Sequence, residues 1–219
     1  PRHPTSCSVA TTNVADHVAN GVQRAIAELA EGAGMAEVGS VIPPSVGVIS
    51  GTKPRTGEAF VNQIFLGFGG GAASPTADAW VTIGHVGNAG LCYQDSAEVD
   101  EQVFPIFVKD RHFVSNTGGA GRYRGGSGMQ VEFGPDGCDL EVGYVSDGTL
   151  YPAQGARGGG RGGRAEQYVR HANGECETLE ACAQVQVREG ETIVSLSCGG
   201  GGFGSPLERP LAEVAHDVR

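Results

Sequence analysis

A chain of 219 residues is long enough to bury a substantial core, as one large domain or two small ones. Its formal net charge of −10 argues against a general nucleic-acid binder, which carries a basic footprint. Glycine supplies 37 residues and hydrophobic residues only 39%, and without a collagen period that excess points to a β-rich fold with long glycine-rich loops. No apolar run approaches the roughly 18 residues of a membrane helix, and the opening PRHPTSCSVATTNV lacks a signal-peptide core. This balance predicts a soluble, cytoplasmic protein.

The first element is a helix over about residues 13–31. Thr11, Thr12 or Asn13 can cap it, and Asp16 stands where an acidic group favours the positive helix end. Val14, Val18, Val22, Ile26 and Leu29 recur at spacings of three and four, an apolar stripe expected to face the core. Gly32 and Gly34 end the pattern, and His17 beside the stripe reads as a satisfied structural histidine.

From Val46 the period becomes that of strands, over Val46–Ile49 and Ala59–Phe65, joined by the turn Gly51–Gly57. Phe68–Ala73 is too small to pack by itself, and Trp80–Ile83 reads as a short strand leading into Gly84–Gly90. Asp95, Glu98, Asp100 and Glu101 form an acidic cluster expected to be a solvated face. Strand-like runs at Val103–Val114 and Met129–Phe133 flank Ser115–Gly128, SNTGGAGRYRGGSG. Its glycines allow positive φ and close backbone approach, and it has almost nothing to fill a core. It reads as a loop held by the sheet, a functional loop or a long surface turn.

Leu140–Val145, the glycine–arginine stretch Gly155–Arg164, and strands near Glu166–Arg170, Ala183–Arg188 and Thr192–Leu196 follow, with a short helix after Pro210. The predicted fold is α+β and β-rich, with mixed or antiparallel sheets, long glycine-rich loops and one N-terminal amphipathic helix. Residues 1–45 form a helical segment packing on a β-rich domain of residues 46–219.

Gly199–Gly204 satisfies G-x-G-x-x-G formally, but Ser205-Pro206 follows and the chain ends too soon for the acidic partner, so no dinucleotide site is assigned. No phosphate-loop motif occurs. Arg157, Arg161 and Arg164 resemble an RGG segment, against which stand the net charge and the lack of interleaved aromatics. The six cysteines form no C-x-x-C pair, so reduced thiols are expected, and His85 and His112 belong to no metal-binding spacing. No metal ligand is assigned.

Four stretches, in this order, resemble the hydantoinase B/oxoprolinase family. They are Ala10–Asn20, Gly67–Gly71 with Pro75–Asp78 after it, Gly118–Gly126, and Gly199–Pro206. The resemblance implies a B-type subunit of an ATP-dependent cyclic-amide hydrolase (hydantoinase, oxoprolinase or lactamase), or of an acetone- or acetophenone-type ketone carboxylase. It covers only the C-terminal part of such a subunit, so a third reading is a non-catalytic portion completing the complex.

The resemblance places ATP and Mg on an A-type partner subunit, and a divalent metal (Mn or Zn) on a missing N-terminal B-type part, with no cofactor bound by this chain alone. That N-terminal fragment, the A-type subunit and a small-molecule substrate are the expected partners, with no nucleic acid or membrane. The glycine loops are expected to offer N–H groups to developing negative charge. The candidates are His85, Asn88 and Arg122 as catalytic residues, and Gly69, Gly70 and Gly71 for substrate.

Overall fold

The computed structural model of the chain describes residues 12–39, 42–83 and 93–218. Among these, β-branched and aromatic runs form the strands. In chain order they are β1 (Val48–Thr52), β2 (Ala59–Gln63), β3 (Ile106–Phe113), β4 (Met129–Pro135), β5 (Leu140–Val145), β6 (Glu166–Arg170), β7 (Cys176–Thr178), β8 (Cys182–Val187) and β9 (Thr192–Leu196). They make a four-stranded sheet, β2-β1-β5-β8, and a five-stranded sheet, β3-β4-β9-β6-β7. Every pairing between named strands is antiparallel, which decides between the mixed and antiparallel alternatives.

The sheets share one core. Leu140, Val142 and Tyr144 alternate along β5 with less buried neighbours, and with Ile49 and Phe60 they meet Val131, Phe133 and Ile193 of the other sheet. Each such side chain stabilises the fold by roughly 1.5–3 kcal/mol when fully buried. The Tyr144 hydroxyl donates to the Glu180 carbonyl at 2.8 Å, so its polar tip is satisfied inside.

Three helices accompany the sheets in the described residues: α1 (Thr12–Leu29), α2 (Ala97–Val103) and α3 (Leu211–Asp217). The acidic cluster expected to be solvated is α2 and its approach, and it is not solvated throughout. Asp100 is buried, Asp95 Oδ2 accepts from the Phe65 N–H at 2.7 Å, and Glu101 Oε1 accepts from the Val108 N–H at 2.7 Å. The expected strand at Trp80–Ile83 is a single bridge between Ile83 and Gly69.

The larger correction concerns α1. Its stripe does not face the core: Val14, Val18, Val22, Ile26 and Leu29 are all exposed, from 43% at Ile26 to 86% at Leu29. The opposite face docks, through polar groups and the small residues Ala19 and Ala27. Asp16 and Ala27 are buried, and Asn20 Oδ1 accepts from the Val38 N–H at 2.9 Å. Arg24 Nε donates to the Gly155 carbonyl at 3.2 Å, and Arg157 Nε to the Ala27 carbonyl at 2.6 Å.

Candidate functional site

Buried serines join the second sheet to the glycine segments. Ser197, following β9, donates from Oγ to the Phe68 carbonyl at 2.7 Å and accepts from the Met129 N–H at 2.8 Å. Ser45 accepts at Oγ from Ser195 and donates to the Gly67 carbonyl, each at 3.1 Å. The chain after β9 and the chain after β2 are thereby laid side by side.

The run Gly199–Gly202 then passes through the middle of the other glycine segments, fully buried. Its successive amides donate to the carbonyls of Gly163, Gly126, Glu37 and Gly160, at 2.8–3.1 Å. Gly199 and Gly202 thus reach the same stretch, three residues apart, the repeat of a polyproline II type helix with no bonds inside itself. Gly119 donates to the Gly200 carbonyl, Ala73 to Gly201 and Ala156 to Gly202. The glycine segments form a hydrogen-bonded bundle.

Why glycine is required here is a question of space. None of Gly69–Gly71, Gly118–Gly121, Gly125, Gly126 or Gly199–Gly202 has positive φ. A Cβ on Gly199 would lie 1.8 Å from the Thr117 carbonyl oxygen, and one on Gly70 2.0 Å from that of Gly126. The segments expected to be loops that do not pack are therefore packed backbone against backbone, with no side chains between them.

Two hollows flank the Met35–Gly39 segment, which runs between α1 and the bundle. A small polar cavity of about 110 Å³ is bordered by Asp16, His17, Glu37, Asp147 and Cys198. His17 Nε2 lies 3.0 Å from Asp147 Oδ1, and Glu37 Oε2 accepts from the Gln154 N–H at 2.9 Å. These contacts pin α1 and its neighbours, so His17 has the structural role expected of it. No group of three or more His, Cys, Asp or Glu among the described residues could hold a metal ion.

The second hollow is a cleft of about 610 Å³ bordered mainly by apolar groups, among them Met35, Val38, Ala72, Trp80 and Ile83. Asp78 closes one side. Arg209 grips its carboxylate with two bonds of 2.8 Å, and the Arg124 N–H adds a third of 2.8 Å. Burial opposes the charge on Asp78, but these bonds and both guanidinium charges hold its carboxyl below the usual range.

Of the sequence-predicted site residues, Gly71 borders this cleft. Gly69 and Gly70 lie inside the bundle. The amides of Gly70 and Gly71 are already bonded to the carbonyls of Cys198 and Trp80, at 3.0 and 3.2 Å. They are not free to donate to an anion. Arg122 is exposed, its guanidinium 5.5 Å from the centroid of the Tyr123 ring, and it does not border the cleft. His85 and Asn88 lie outside the described residues. Trp80, Met35, Glu37 and Asp147 were not singled out from the sequence. The partners of His17 and Arg209 lie 130 and 131 residues away, with no local signal to mark them.

A family model described as hydantoinase B/oxoprolinase matches residues 1–206. The chain belongs to that family. Subunit beta of caprolactamase from Pseudomonas jessenii is 30% identical over 179 residues, which are 78% of this chain and 30% of that one. 5-Oxoprolinase of Saccharomyces cerevisiae is 29% identical over 110 residues, 49% of this chain and 8% of that one. The crystal structure of the ATP-dependent caprolactamase of P. jessenii superposes with a TM-score of 0.72 at 26% identity, over 82% of this chain and 32% of that one. Nucleotide-free acetone carboxylase shares the fold, with a TM-score of 0.68 at 18% identity, over 84% of this chain and 28% of that one. This hydantoinase B-type chain thus spans less than a third of the length of these relatives. No helix among its described residues is long and apolar enough to cross a membrane.

Proposed function

We propose that this chain is the C-terminal portion of the B-type subunit of an ATP-dependent cyclic-amide hydrolase, working with an N-terminal B-type part and an A-type subunit. The observation that carries this is the 30% identity to caprolactamase subunit beta over most of the chain. Caprolactam and 5-oxoproline, the compounds in the relatives' names, are both cyclic amides. The carboxylase, at 18% identity, speaks only for the fold.

An amide is a poor electrophile, and ATP on the A-type partner supplies the phosphoryl group that turns its oxygen into a leaving group. Water then adds at the ring carbon, the C–N bond breaks as the ring nitrogen takes a proton, and a second water releases phosphate from the acyl phosphate so formed. The cleft beside Trp80 suits an apolar ring that must be kept from bulk water on one side. Gly71 serves as part of the rigid wall, with Gly69 and Gly70 buried behind it. His85 and Asn88, shortly after Ile83 in the sequence, are the proposed polar residues, with Arg122 outside the cleft as the third candidate.

A second reading has its own support. The amides of Gly70, Gly71 and Gly199–Gly202 are all consumed within the bundle, as in a portion that completes the assembly and touches no substrate. Turnover by the native assembly separates the readings. Cyclic-amide-dependent ATP hydrolysis indifferent to bicarbonate supports the proposal, and ketone turnover that requires bicarbonate contradicts it. Loss of turnover in His85→Ala with assembly intact assigns substrate chemistry to this chain, and unchanged turnover favours the second reading.

A further inference from the structure

We infer that the outward face of α1 is an interface for the part of the B-type polypeptide that lies outside these 219 residues. This goes beyond the reaction assigned above and would hold for hydrolase and carboxylase alike.

Ala15, Val18, Val22, Ala25 and Leu29 follow one another at spacings of three and four, the seam of helix-to-helix packing, and all are exposed. Val14 and Ile26 widen the seam into a continuous apolar face. Isolated exposed apolar residues are ordinary, but a whole helix face is a docking surface. The helix cannot turn this face inward. Asn20, Arg24 and the Ala27 carbonyl on the opposite side are bonded to Val38, Gly155 and Arg157. Alanines between the branched residues let a second helix come close.

The occupant follows from length. The matched region is 30% of caprolactamase subunit beta and 32% of the superposed caprolactamase chain, so more than two-thirds of each lies beyond it. A second copy of this chain would leave that remainder without a role at the face. The partner expected is an apolar helical face of the B-type remainder, meeting the seam as a helix meets a hydrophobic groove.

The test uses the native protein carrying Val22→Cys, with Glu31→Cys past the helix end as the exposed reference, each labelled by a maleimide and read by peptide mass. Val22→Cys is expected to label about tenfold more slowly than Glu31→Cys, or less. A photo-reactive amino acid at position 22 is expected to cross-link to B-type residues outside the 219. Equal labelling at the two positions overturns the inference. So do cross-links confined to a second copy of the same helix or to the A-type subunit. Ring-opening activity plays no part in either reading, so failure of the proposed reaction would leave this result unaffected.

Discussion

A Cβ added to Gly200 would stand 1.8 Å from the carbonyl oxygen of Gly71, two residues 129 positions apart in the chain. No rotamer change relieves that contact, because the neighbour is backbone. Gly200→Ala is expected to cost about 3 kcal/mol or more, a large share of the roughly 5–15 kcal/mol of ordinary stability. Gly21, on α1, has nothing within 4 Å of its Cβ position. There Gly21→Ala should stabilise by about 0.5–1 kcal/mol. Urea unfolding of both variants checks the pair, and a Gly200→Ala protein as stable as the parent would contradict the packed bundle.

Asp100 predicts a pH dependence. Burial, joined by the charge of Asp95, pushes its carboxyl up to about 6, from an ordinary 3.8. Because the folded value is the higher, the neutral carboxyl stabilises the fold below the ordinary value. That contribution is lost as pH rises through about 6. Asp100→Asn should therefore gain about 1–2 kcal/mol at pH 8 and nothing near pH 3. Thermal melts across that range read the difference directly, and a gain independent of pH would point to another cause.

The Arg209–Asp78 pair carries the opposite sign. Burial raises the Asp78 carboxyl, but the hydrogen bonds and charges of Arg209 and Arg124 outweigh it, so the net shift is downward. Its contribution is present above the ordinary 3.8 and lost as pH falls through the lower folded value. Asp78→Asn is expected to cost about 1 kcal/mol at neutral pH, with discounting for its partial exposure. The gap to the parent should close as the pH falls below the ordinary 3.8 and through the lower folded value. A gap that widened with acid would remove Asp78 as its source.

Trp80 stands at the border of the cleft and is 69% exposed. If the cleft holds the ring of a cyclic amide, Trp80→Ala should raise KM about tenfold and leave kcat nearly unchanged, the signature of lost uniform binding. Steady-state kinetics of the native assembly decides this. Unchanged KM and kcat would remove the cleft from the substrate path.

Strands were the legible part of this sequence. Leu140–Val145 falls where apolar alternation places it, because burial on one sheet face imposes a period of two. Glu166–Arg170 and Thr192–Leu196 are also strands as expected, although Gln167 takes a buried position and four successive residues of β9 are buried. β7 escaped notice, since Cys176–Thr178 is exposed along its length and carries no apolar signal. Periodicity found α1 but gave its stripe the wrong destination. An apolar face says that something covers it, and only Asn20, Arg24 and Ala27 reveal that the described residues of this chain are not the cover. The glycine segments misled for a related reason. Burial is normally read from side chains, and a bundle held by backbone bonds such as those joining Gly200 to Gly119 and Gly126, and Gly199 to Gly163, has none to read.

Hydrogen exchange of the native protein tests that bundle most directly. The amides of Gly119, Gly126, Gly200 and Gly202 each donate to a backbone carbonyl at 2.8–2.9 Å. They are expected to exchange only through global unfolding, as slowly as the amides of β4 and β9. Exchange at the rates of an exposed turn, such as that around Gly174, would show that these segments are mobile loops and that the packed bundle is wrong.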